Sequence, residues 1–238
     1  LQDWIGTELQ DGRYRVVDKL GEGGMGTVYR AHDTKHSRDV VIKIPRASLL
    51  EDKTFARRFK RELKSLSELS HPNIVKIQAM GNHQGIPFGV MQHLAGGDLE
   101  DQRLIDKTGL ILPYDPSRLS QWLGQVCEAL DFIHQKGYVH RDIKPSNILF
   151  NPTGQPYISD FGVVKAITEA SGETPTESLT DTDHVIGTVA YLAPEMLSPD
   201  EISGQADQYS LAITVYELLA GQLPFPESTS PVESLEHL

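Results

Sequence analysis

The most constraining feature of this chain is a short polar stretch that a second motif follows at a fixed distance. Residues 140–147 read His-Arg-Asp-Ile-Lys-Pro-Ser-Asn, and Asp160-Phe161-Gly162 begins thirteen residues after Asn147. This order supplies a carboxylate that can take a proton, a lysine that can neutralise charge, and two oxygen ligands suited to Mg²⁺. The order predicts phosphoryl transfer, and the rest of the chain has to be compatible with it.

Composition narrows the class of protein further. The chain has 238 residues, of which 39% are hydrophobic and 23% charged, as expected for a globular chain of one or two lobes. Its single cysteine, Cys127, excludes an internal disulfide framework, and we expect a reducing, cytoplasmic location. No run approaches the roughly 18 apolar residues of a membrane-spanning helix, although a membrane anchor outside this chain is compatible with the sequence.

The charge is unevenly distributed along the chain. Residues 1–93 carry 15 Lys and Arg against 11 Asp and Glu, whereas residues 94–238 carry 7 against 22, which gives +4 and −15 within the total of −11. This asymmetry argues against nucleic-acid binding and favours basic protein substrates for the acidic part, because complementary fields steer encounter. A solvated acidic surface is the plainer alternative.

Hydrophobic periodicity predicts an α+β protein, with a strand-rich lobe at residues 1–93 and a mainly helical lobe at residues 94–238. Runs of β-branched and aromatic residues predict strands at 14–17, 27–30, 40–43, 74–77 and 88–91. An apolar stripe from Thr54 onward predicts a helix in the first lobe.

Helix start and stop signals define two helices in the second lobe. Asp115-Pro116 predicts the start of a helix that runs to a stop at Gly137. A second helix is predicted from about Ala206 to Gly221.

A glycine-rich segment, Gly21-Glu22-Gly23-Gly24-Met25-Gly26, lies between the first two predicted strands. The same spacing occurs in dinucleotide-binding turns, where the glycines open a helix. Here Thr27-Val28-Tyr29 continues as a strand, so the segment predicts a β-hairpin whose bare backbone can close over phosphates. Glycines that only relieve strain in a hairpin are the structural alternative.

These motifs resemble the catalytic domain of eukaryotic-type (Hanks-type) serine/threonine protein kinases, and the run GEGGMG-x-VY is similar to bacterial members. The resemblance implies a bilobal protein-kinase-like fold, ATP and Mg²⁺ as cofactors, and protein Ser or Thr hydroxyls as acceptors. It implies that Asp142 takes the hydroxyl proton and Lys144 neutralises the γ-phosphate, while Asn147 and Asp160 hold Mg²⁺. Lys144 followed by proline is typical of Ser/Thr kinases rather than tyrosine kinases.

The resemblance also implies an ion pair in the first lobe. Lys43, at a strand end, would pair with the α- and β-phosphates of ATP. Glu62 would be its partner, because a carboxylate on the apolar stripe of a helix is costly to bury without a cation. An exposed strand lysine and a surface pair between Arg58 and Glu62 are the alternatives.

The nucleotide contacts that the resemblance implies come from both lobes. Backbone groups from Gln92 to Leu94 would bind adenine, and Asp98 would reach the ribose, although Gly-Gly-Asp is also a plain turn. Val41 stands where relatives usually have alanine, which makes the pocket tighter. The predicted ATP-binding residues are Gly21, Gly23, Gly26, Val28, Val41, Lys43, Gln92, Leu94, Asp98 and Leu149.

The stretch from Asp160 to the Ala-Pro-Glu ending at Glu195 corresponds to the activation segment of the family. Thr180 and Thr182 are the closest in pattern to bacterial autophosphorylation sites. Arg141 stands where family members pair a guanidinium with a segment phosphate. A polar disordered loop is the alternative for the unphosphorylated segment.

The resemblance covers about Tyr14 to Phe225, and because the chain ends soon afterwards we expect an incomplete second lobe. Asp207 is expected to tie its helix to the catalytic-loop backbone. Protein substrates, and a second kinase molecule in a homodimer, are the expected partners. A pseudokinase or docking module is the competing class, against which the filled catalytic positions argue. The long activation segment disfavours a small-molecule phosphotransferase.

Overall fold

The computed structural model describes residues 3–23, 26–46, 50, 63–64, 67, 69–109, 111–160, 190–197 and 202–225. The chain divides into two compact units. Unit 1 comprises Leu1–Ser70 and Val75–His93, and unit 2 comprises His71–Ile74 and Leu94–Leu238.

Unit 1 contains a six-stranded sheet with the strand order β1-β2-β3-β4-β6-β5, in which every neighbouring pair is antiparallel. The strands are β1 (Glu8–Leu9), β2 (Tyr14–Gly23), β3 (Gly26–Asp33), β4 (Arg38–Pro45), β5 (Ile77–His83) and β6 (Ile86–Gln92). The predicted strands at 14–17, 27–30, 40–43 and 88–91 lie within these bounds.

The predicted strand at 74–77 is wrong in its bounds. β5 begins only at Ile77, and Ile74 instead forms an isolated parallel bridge with Ile158, so that both residues belong to unit 2. The Ile158 N–H also donates to the Asn73 carbonyl at 2.8 Å. Long-range pairing therefore determines the fate of this apolar run, and local periodicity does not reveal it.

The sheet of unit 1 has one face in a hydrophobic core. Strand β4 shows the alternation directly, since Val40 and Ile42 are fully buried whereas Val41 and Lys43 are half-buried. The core combines residues from five strands and the N-terminal stretch: Trp4, Leu9, Tyr14, Val16, Tyr29, Ala31, Val40, Ile42, Ile44, Phe88 and Val90. Burial of this face fixes the strand register, because a slip of one residue would expose it.

Unit 2 contains three described α-helices, and they are α1 (Pro116–Leu119), α2 (Leu123–Gln135) and α3 (Gly204–Ala220). Asp115 caps α1 by accepting the Ser117 N–H, as the Asp-Pro start predicted. Gly137 and Gly221, with φ of 78° and 72°, end the other two helices, as predicted.

The prediction of one continuous helix from Asp115 to Gly137 is wrong, because a turn separates α1 from α2. The Ser120 hydroxyl donates to the Ser117 carbonyl at 2.7 Å and competes with the helical bonds. The backbone of Trp122 leaves the helical region with φ −134°. Its buried ring makes an edge contact with the ring of Phe150, and the two ring centroids are 6.5 Å apart.

Short elements complete the described part of unit 2. Strands β7 (Leu104–Ile105) and β8 (Ile111–Leu112) form one hairpin, and β9 (Ile148–Phe150) and β10 (Pro156–Ile158) form another. Two 3₁₀ turns occupy Pro145–Asn147 and Pro194–Leu197. In the part of the chain that the structure describes, none of the helices is long and apolar enough to cross a bilayer.

Candidate active site

The glycine-rich segment forms the β2–β3 hairpin of unit 1. Gly23 pairs with Gly26 and Gly21 pairs with Val28, so the strand prediction for this segment is correct, while Gly24 and Met25 at the tip lie outside the described residues. Gly26 has φ 155°, and a Cβ there would lie 2.1 Å from the Ile44 carbonyl oxygen. Only glycine fits at this position, which satisfies the requirement for a bare backbone at the end of the hairpin.

Lys43 shares one face of the sheet with other residues predicted to contact ATP. It lies directly opposite Val28 in the β3–β4 ladder, and Val41 is two positions away on the same strand. These side chains therefore point away from the hydrophobic core of unit 1. Glu62, the predicted partner of Lys43, lies outside the described residues, so this ion pair stays a prediction.

Two of the residues predicted to bind adenine and ribose, Gln92 and Asp98, make hydrogen bonds within the fold. In unit 1 the Gln92 N–H donates to the Lys76 carbonyl at 3.3 Å, and Gln92 pairs with Val40 at the end of the β4–β6 ladder. In unit 2 the Asp98 carboxylate accepts the Asp101 N–H at 2.8 Å and closes a turn, and Asp98 forms a bridge with Leu149. Burial raises the pKa of Asp98. Leu94 follows in unit 2 and is half-buried.

The loop predicted to be catalytic, residues 140–147, lies between α2 and β9, and we call it the catalytic loop. It is organised around Asp142. Asn147 Nδ2 donates both to the Asp142 carbonyl at 2.7 Å and to Asp142 Oδ2 at 2.8 Å. Lys144 Nζ lies 3.1 Å from the same Oδ2. The structure thus brings together three predicted residues, and the amide and the ammonium hold the carboxylate in one orientation.

His140 links the catalytic loop to the strand that leads into Asp160. Its Nδ1 accepts the Asp142 N–H at 3.3 Å, so Nε2 carries the hydrogen and donates to the Ser159 carbonyl at 2.7 Å. The Ser159 N–H donates to the Asn147 carbonyl at 3.0 Å. No role was predicted for His140; its position in the motif, two residues before Asp142, was the available signal.

Asp207 of α3 anchors the backbone of the catalytic loop, as predicted. This fully buried carboxylate accepts the His140 N–H at 2.8 Å and the Arg141 N–H at 2.7 Å. His134 Nε2, at 2.8 Å from Asp207 Oδ2, makes a third contact, which the sequence did not predict. Arg141 has φ 69°, a strained conformation for a side chain of this size, and it points the N–H of Arg141 at Asp207.

Asn147 and Asp160 fit a magnesium site of the kind that phosphate substrates complete. Both hydrogens of the Asn147 amide are used within the loop, so its oxygen is the atom that suits a hard cation. Asp160 has a φ of 60°, which is also a strained value. It follows Ser159, whose backbone groups form hydrogen bonds with Asn147 and His140. Across the described ranges no group of three or more His, Cys, Asp or Glu could hold a metal ion.

The predicted regulatory residues are only partly described. Thr180 and Thr182 lie outside the described residues, together with all of 161–189. Arg141 is described, and its buried Nε has no hydrogen-bond partner among the residues that the structure places.

A glycine hairpin with a strand lysine in one unit, and a half-buried Asp-Lys-Asn loop anchored on a helix in the other, are the features expected of the protein kinase class. The chain belongs to the protein kinase domain family, whose model matches residues 14–237. The predicted family and bilobal fold class are thus confirmed.

Sequence relatives are bacterial serine/threonine-protein kinases. The chain is 37% identical over 217 residues to PknB of Mycobacterium leprae, a match that covers 90% of this chain and 33% of PknB. It is 37% identical over 227 residues to PrkC of Bacillus subtilis, covering 95% of this chain and 33% of PrkC. The chain therefore spans about a third of the length of these curated relatives.

Solved structures agree with this assignment. The PknI kinase domain of Mycobacterium tuberculosis superimposes with a TM-score of 0.67 at 27% identity, covering 97% of this chain and 80% of that one.

Proposed function

We propose that this chain transfers the γ-phosphate of ATP to Ser and Thr hydroxyls of proteins, including its own. The observation that carries the proposal is the orientation of the Asp142 carboxylate by Asn147 and Lys144 in a loop anchored on Asp207. Phosphoryl transfer asks the protein mainly for positioning and charge neutralisation, and this loop supplies both.

Asp142 is the residue to which we assign the proton. Since Asn147 and Lys144 contact Oδ2, we assign Oδ1 to the acceptor hydroxyl. The hydroxyl oxygen bonds to the γ-phosphorus, the bond from that phosphorus to the β–γ bridging oxygen breaks, ADP leaves, and the hydroxyl proton passes to Asp142.

Three cationic groups would balance the phosphate charge. We assign Lys144 to the γ-phosphate and Lys43 to the α- and β-phosphates, with Glu62 as the partner of Lys43. Mg²⁺, when held by Asn147 and Asp160, neutralises charge on the phosphate oxygens. The glycine hairpin would cover the phosphates with backbone N–H groups, which Gly26 permits because it lacks a Cβ.

The preference for Ser and Thr rests on two observations. Lys144-Pro145 follows the Asp142-Ile143 pair, a pattern typical of Ser/Thr kinases, and PknB and PrkC carry the name serine/threonine-protein kinase. We infer that autophosphorylation falls on Thr180 or Thr182, with Arg141 as an anchor for the phosphate. The buried Arg141 Nε, unpartnered within the described ranges, supports that role. A kinase homodimer and a cytoplasmic location stay predictions.

The acceptor residue is tested with three basic peptides that differ only in carrying Ser, Thr or Tyr. Incubation with Mg²⁺ and radiolabelled ATP should label the Ser and Thr peptides and label the Tyr peptide at least about tenfold more slowly. Mass spectrometry of the protein should place autophosphorylation in 161–189. Equal labelling of all three peptides contradicts the specificity, and labelling of none contradicts the activity.

A further inference from the structure

A network of charged side chains spans three strands of the sheet in unit 1. Arg30 of β3 donates through Nε to Asp18 Oδ1 at 3.1 Å and through Nη2 to Asp18 Oδ2 at 2.7 Å, so it forms a bidentate pair with β2. Arg30 Nη1 donates to Asp39 Oδ2 of β4 at 2.8 Å. The other carboxylate oxygen of Asp39 lies 3.2 Å from His32 Nδ1. We call Asp18, Arg30 and Asp39 the Arg30 network.

The Arg30 network lies on the face of the sheet that carries residues predicted to contact ATP. Arg30 stands directly opposite Asp18 in the β2–β3 ladder and directly opposite Val41 in the β3–β4 ladder. Val28, two positions from Arg30 on β3, stands opposite Lys43. Residues directly opposite each other share a face, as do residues two apart on one strand, so Arg30 lies beside the positions predicted to contact adenine and phosphate.

The part of β2 that leads into the glycine hairpin has little support from the core. Val16 is buried, whereas none of the residues from 17 to 22 is buried. The register with β3 shifts between Lys19 and Gly21, so that Leu20 is the additional residue of a β-bulge. A bulge interrupts the ladder and bends the strand. The core therefore does not fix the position of this stretch, and contacts across the strands have to do so.

The bidentate pair is the ionic contact that ties this stretch to the next strand. The exposed fractions of the Asp18, Arg30 and Asp39 side chains are 45%, 30% and 33%, and ion pairs at such exposure are weak when they stand alone. Bidentate geometry and a guanidinium shared by two carboxylates make the contact stronger. The Arg30 hydrogen bonds lower the pKa of Asp18 and of Asp39, so both stay charged at neutral pH. Lys19 and Glu22 also form an ion pair, but both belong to β2 and link it to no other strand.

We propose that Arg30 is a positioning residue for the nucleotide: through its bidentate pair with Asp18 it fixes the bulged stretch of β2, and thereby the place of the glycine hairpin over ATP. Asp39 holds the guanidinium in the orientation that the pair requires. The inference rests on the proposed function, in which ATP is the phosphate donor. It assigns to Arg30 no contact with ATP or with the reacting atoms.

The effect of Arg30 should fall on the nucleotide and spare the acceptor. Arg30→Met removes the guanidinium and keeps an unbranched stem, and it should raise Kd for ATP about fivefold, with KM for the Ser peptide and kcat at saturating ATP unchanged. Arg30→Lys keeps the charge but loses the planar fork, so it should raise Kd about threefold. Calorimetric titration measures Kd. The matched control is Arg15→Met, which removes an exposed arginine of β2 that pairs with Glu8 at 3.3 Å and should leave Kd unaltered.

A double-mutant cycle tests whether Arg30 acts through Asp18. Asp18→Asn alone should also raise Kd for ATP about fivefold. The combination of Asp18→Asn with Arg30→Met should still show a rise of about fivefold, because both substitutions remove the same interaction. Independent effects would multiply to about 25-fold, and that result would contradict the role assigned to the pair.

Hydrogen exchange in the protein without nucleotide provides a measurement that does not depend on turnover. Exchange in residues 18–23 should become about fivefold faster in Arg30→Met, while residues 86–92 of β6 stay protected. If exchange in 18–23 or Kd for ATP is unchanged, the positioning role is wrong. If the wild type binds ATP but transfers no phosphate, the proposed function fails, and exchange together with Kd still decides the role of Arg30.

Discussion

Among single residues, Asn147 combines two tasks that its sequence position cannot separate. Its amide nitrogen holds Asp142 through two hydrogen bonds, and its oxygen is the candidate ligand for Mg²⁺. We expect Asn147→Ala to lower kcat about 100-fold, since a misoriented carboxylate loses the positioning on which the reaction depends. Steady-state kinetics over a range of Mg²⁺ concentrations measures this change.

The control for this variant is Asn82→Ala, which removes an exposed asparagine that accepts the Gly85 N–H in the β5–β6 turn. It should leave kcat unaltered. Because orientation of Asp142 is lost in Asn147→Ala, added Mg²⁺ should not restore kcat. Full recovery at high Mg²⁺ would mean that Asn147 acts only as a metal ligand.

Asp33 is a residue whose charge supports the stability of unit 1. Burial alone would raise the pKa of its carboxyl, but hydrogen bonds from His36 and Arg13 outweigh burial and hold the pKa well below its usual range. A depressed pKa means that the stabilisation is complete above about pH 4, the usual value for Asp, and is lost as the pH falls towards the lower folded value.

Asp33→Asn should therefore lower the free energy of unfolding by about 2 kcal/mol at pH 7, and the difference from wild type should shrink below about pH 4. Denaturant titrations at several pH values measure it. Asp11→Asn, at an exposed carboxyl near the same strands, is the control and should have little effect. A destabilisation of Asp33→Asn that is independent of pH would refute the electrostatic account.

The sequence predicts the chemistry of single residues better than their contacts. The order of Asp142, Lys144 and Asn147 predicted a loop in which they act together, and the distances agree. The bond from the His140 imidazole to the Ser159 carbonyl was not predictable, because it joins a side chain to a backbone group 19 residues away and their meeting depends on the fold. The pairing of Lys43 with Glu62 stays a prediction.

At the scale of elements, α3 serves as the support of the catalytic loop. Asp207 accepts three donors there, and an amide in its place would turn an NH₂ group towards at least one of them. We expect Asp207→Asn to cost about 3 kcal/mol of stability and to lower kcat at least tenfold. Denaturant unfolding and steady-state kinetics test the two effects. Unchanged kcat in a destabilised variant would show that Asp207 supports the fold without positioning the loop.

The β2–β3 hairpin requires a glycine at position 26. In Gly26→Ala the new Cβ would clash with the Ile44 carbonyl oxygen, and relieving the clash should cost about 2 kcal/mol and weaken ATP binding about tenfold. Gly124→Ala is the control, because Gly124 is exposed in α2 and has nothing within 4 Å of the added Cβ. Thermal shift and nucleotide titration measure both. Equal ATP affinity for Gly26→Ala and wild type would show that the hairpin is not part of the ATP-binding site.

Elements were predictable where local pattern and tertiary packing agree. The strands of the glycine hairpin and the glycine stops of α2 and α3 follow from local rules. Local rules failed for the run at 74–77, because Ile74 bridges to Ile158. They also failed for the helix through Trp122, because the Trp122 ring packs against Phe150. Both exceptions come from contacts between residues that are distant in sequence.

At the scale of the whole molecule, the residues to which we assign the proposed reaction belong to two units. The glycine hairpin and Lys43 belong to unit 1, and the catalytic loop with its support on α3 belongs to unit 2. The family match over residues 14–237 covers both. The net charge of −15 in residues 94–238 favours basic acceptor proteins, because complementary fields steer encounter.

The central claim is that Asp142 makes this chain a phosphotransferase. The most direct test compares wild type with Asp142→Asn, which keeps the shape of the side chain, by measuring Mg²⁺-dependent phosphate transfer to the Ser peptide and ATP affinity. The account predicts a fall in kcat of about 1,000-fold with an unchanged Kd for ATP. An Asp142→Asn variant that binds ATP normally and retains more than about a tenth of the wild-type kcat would contradict it.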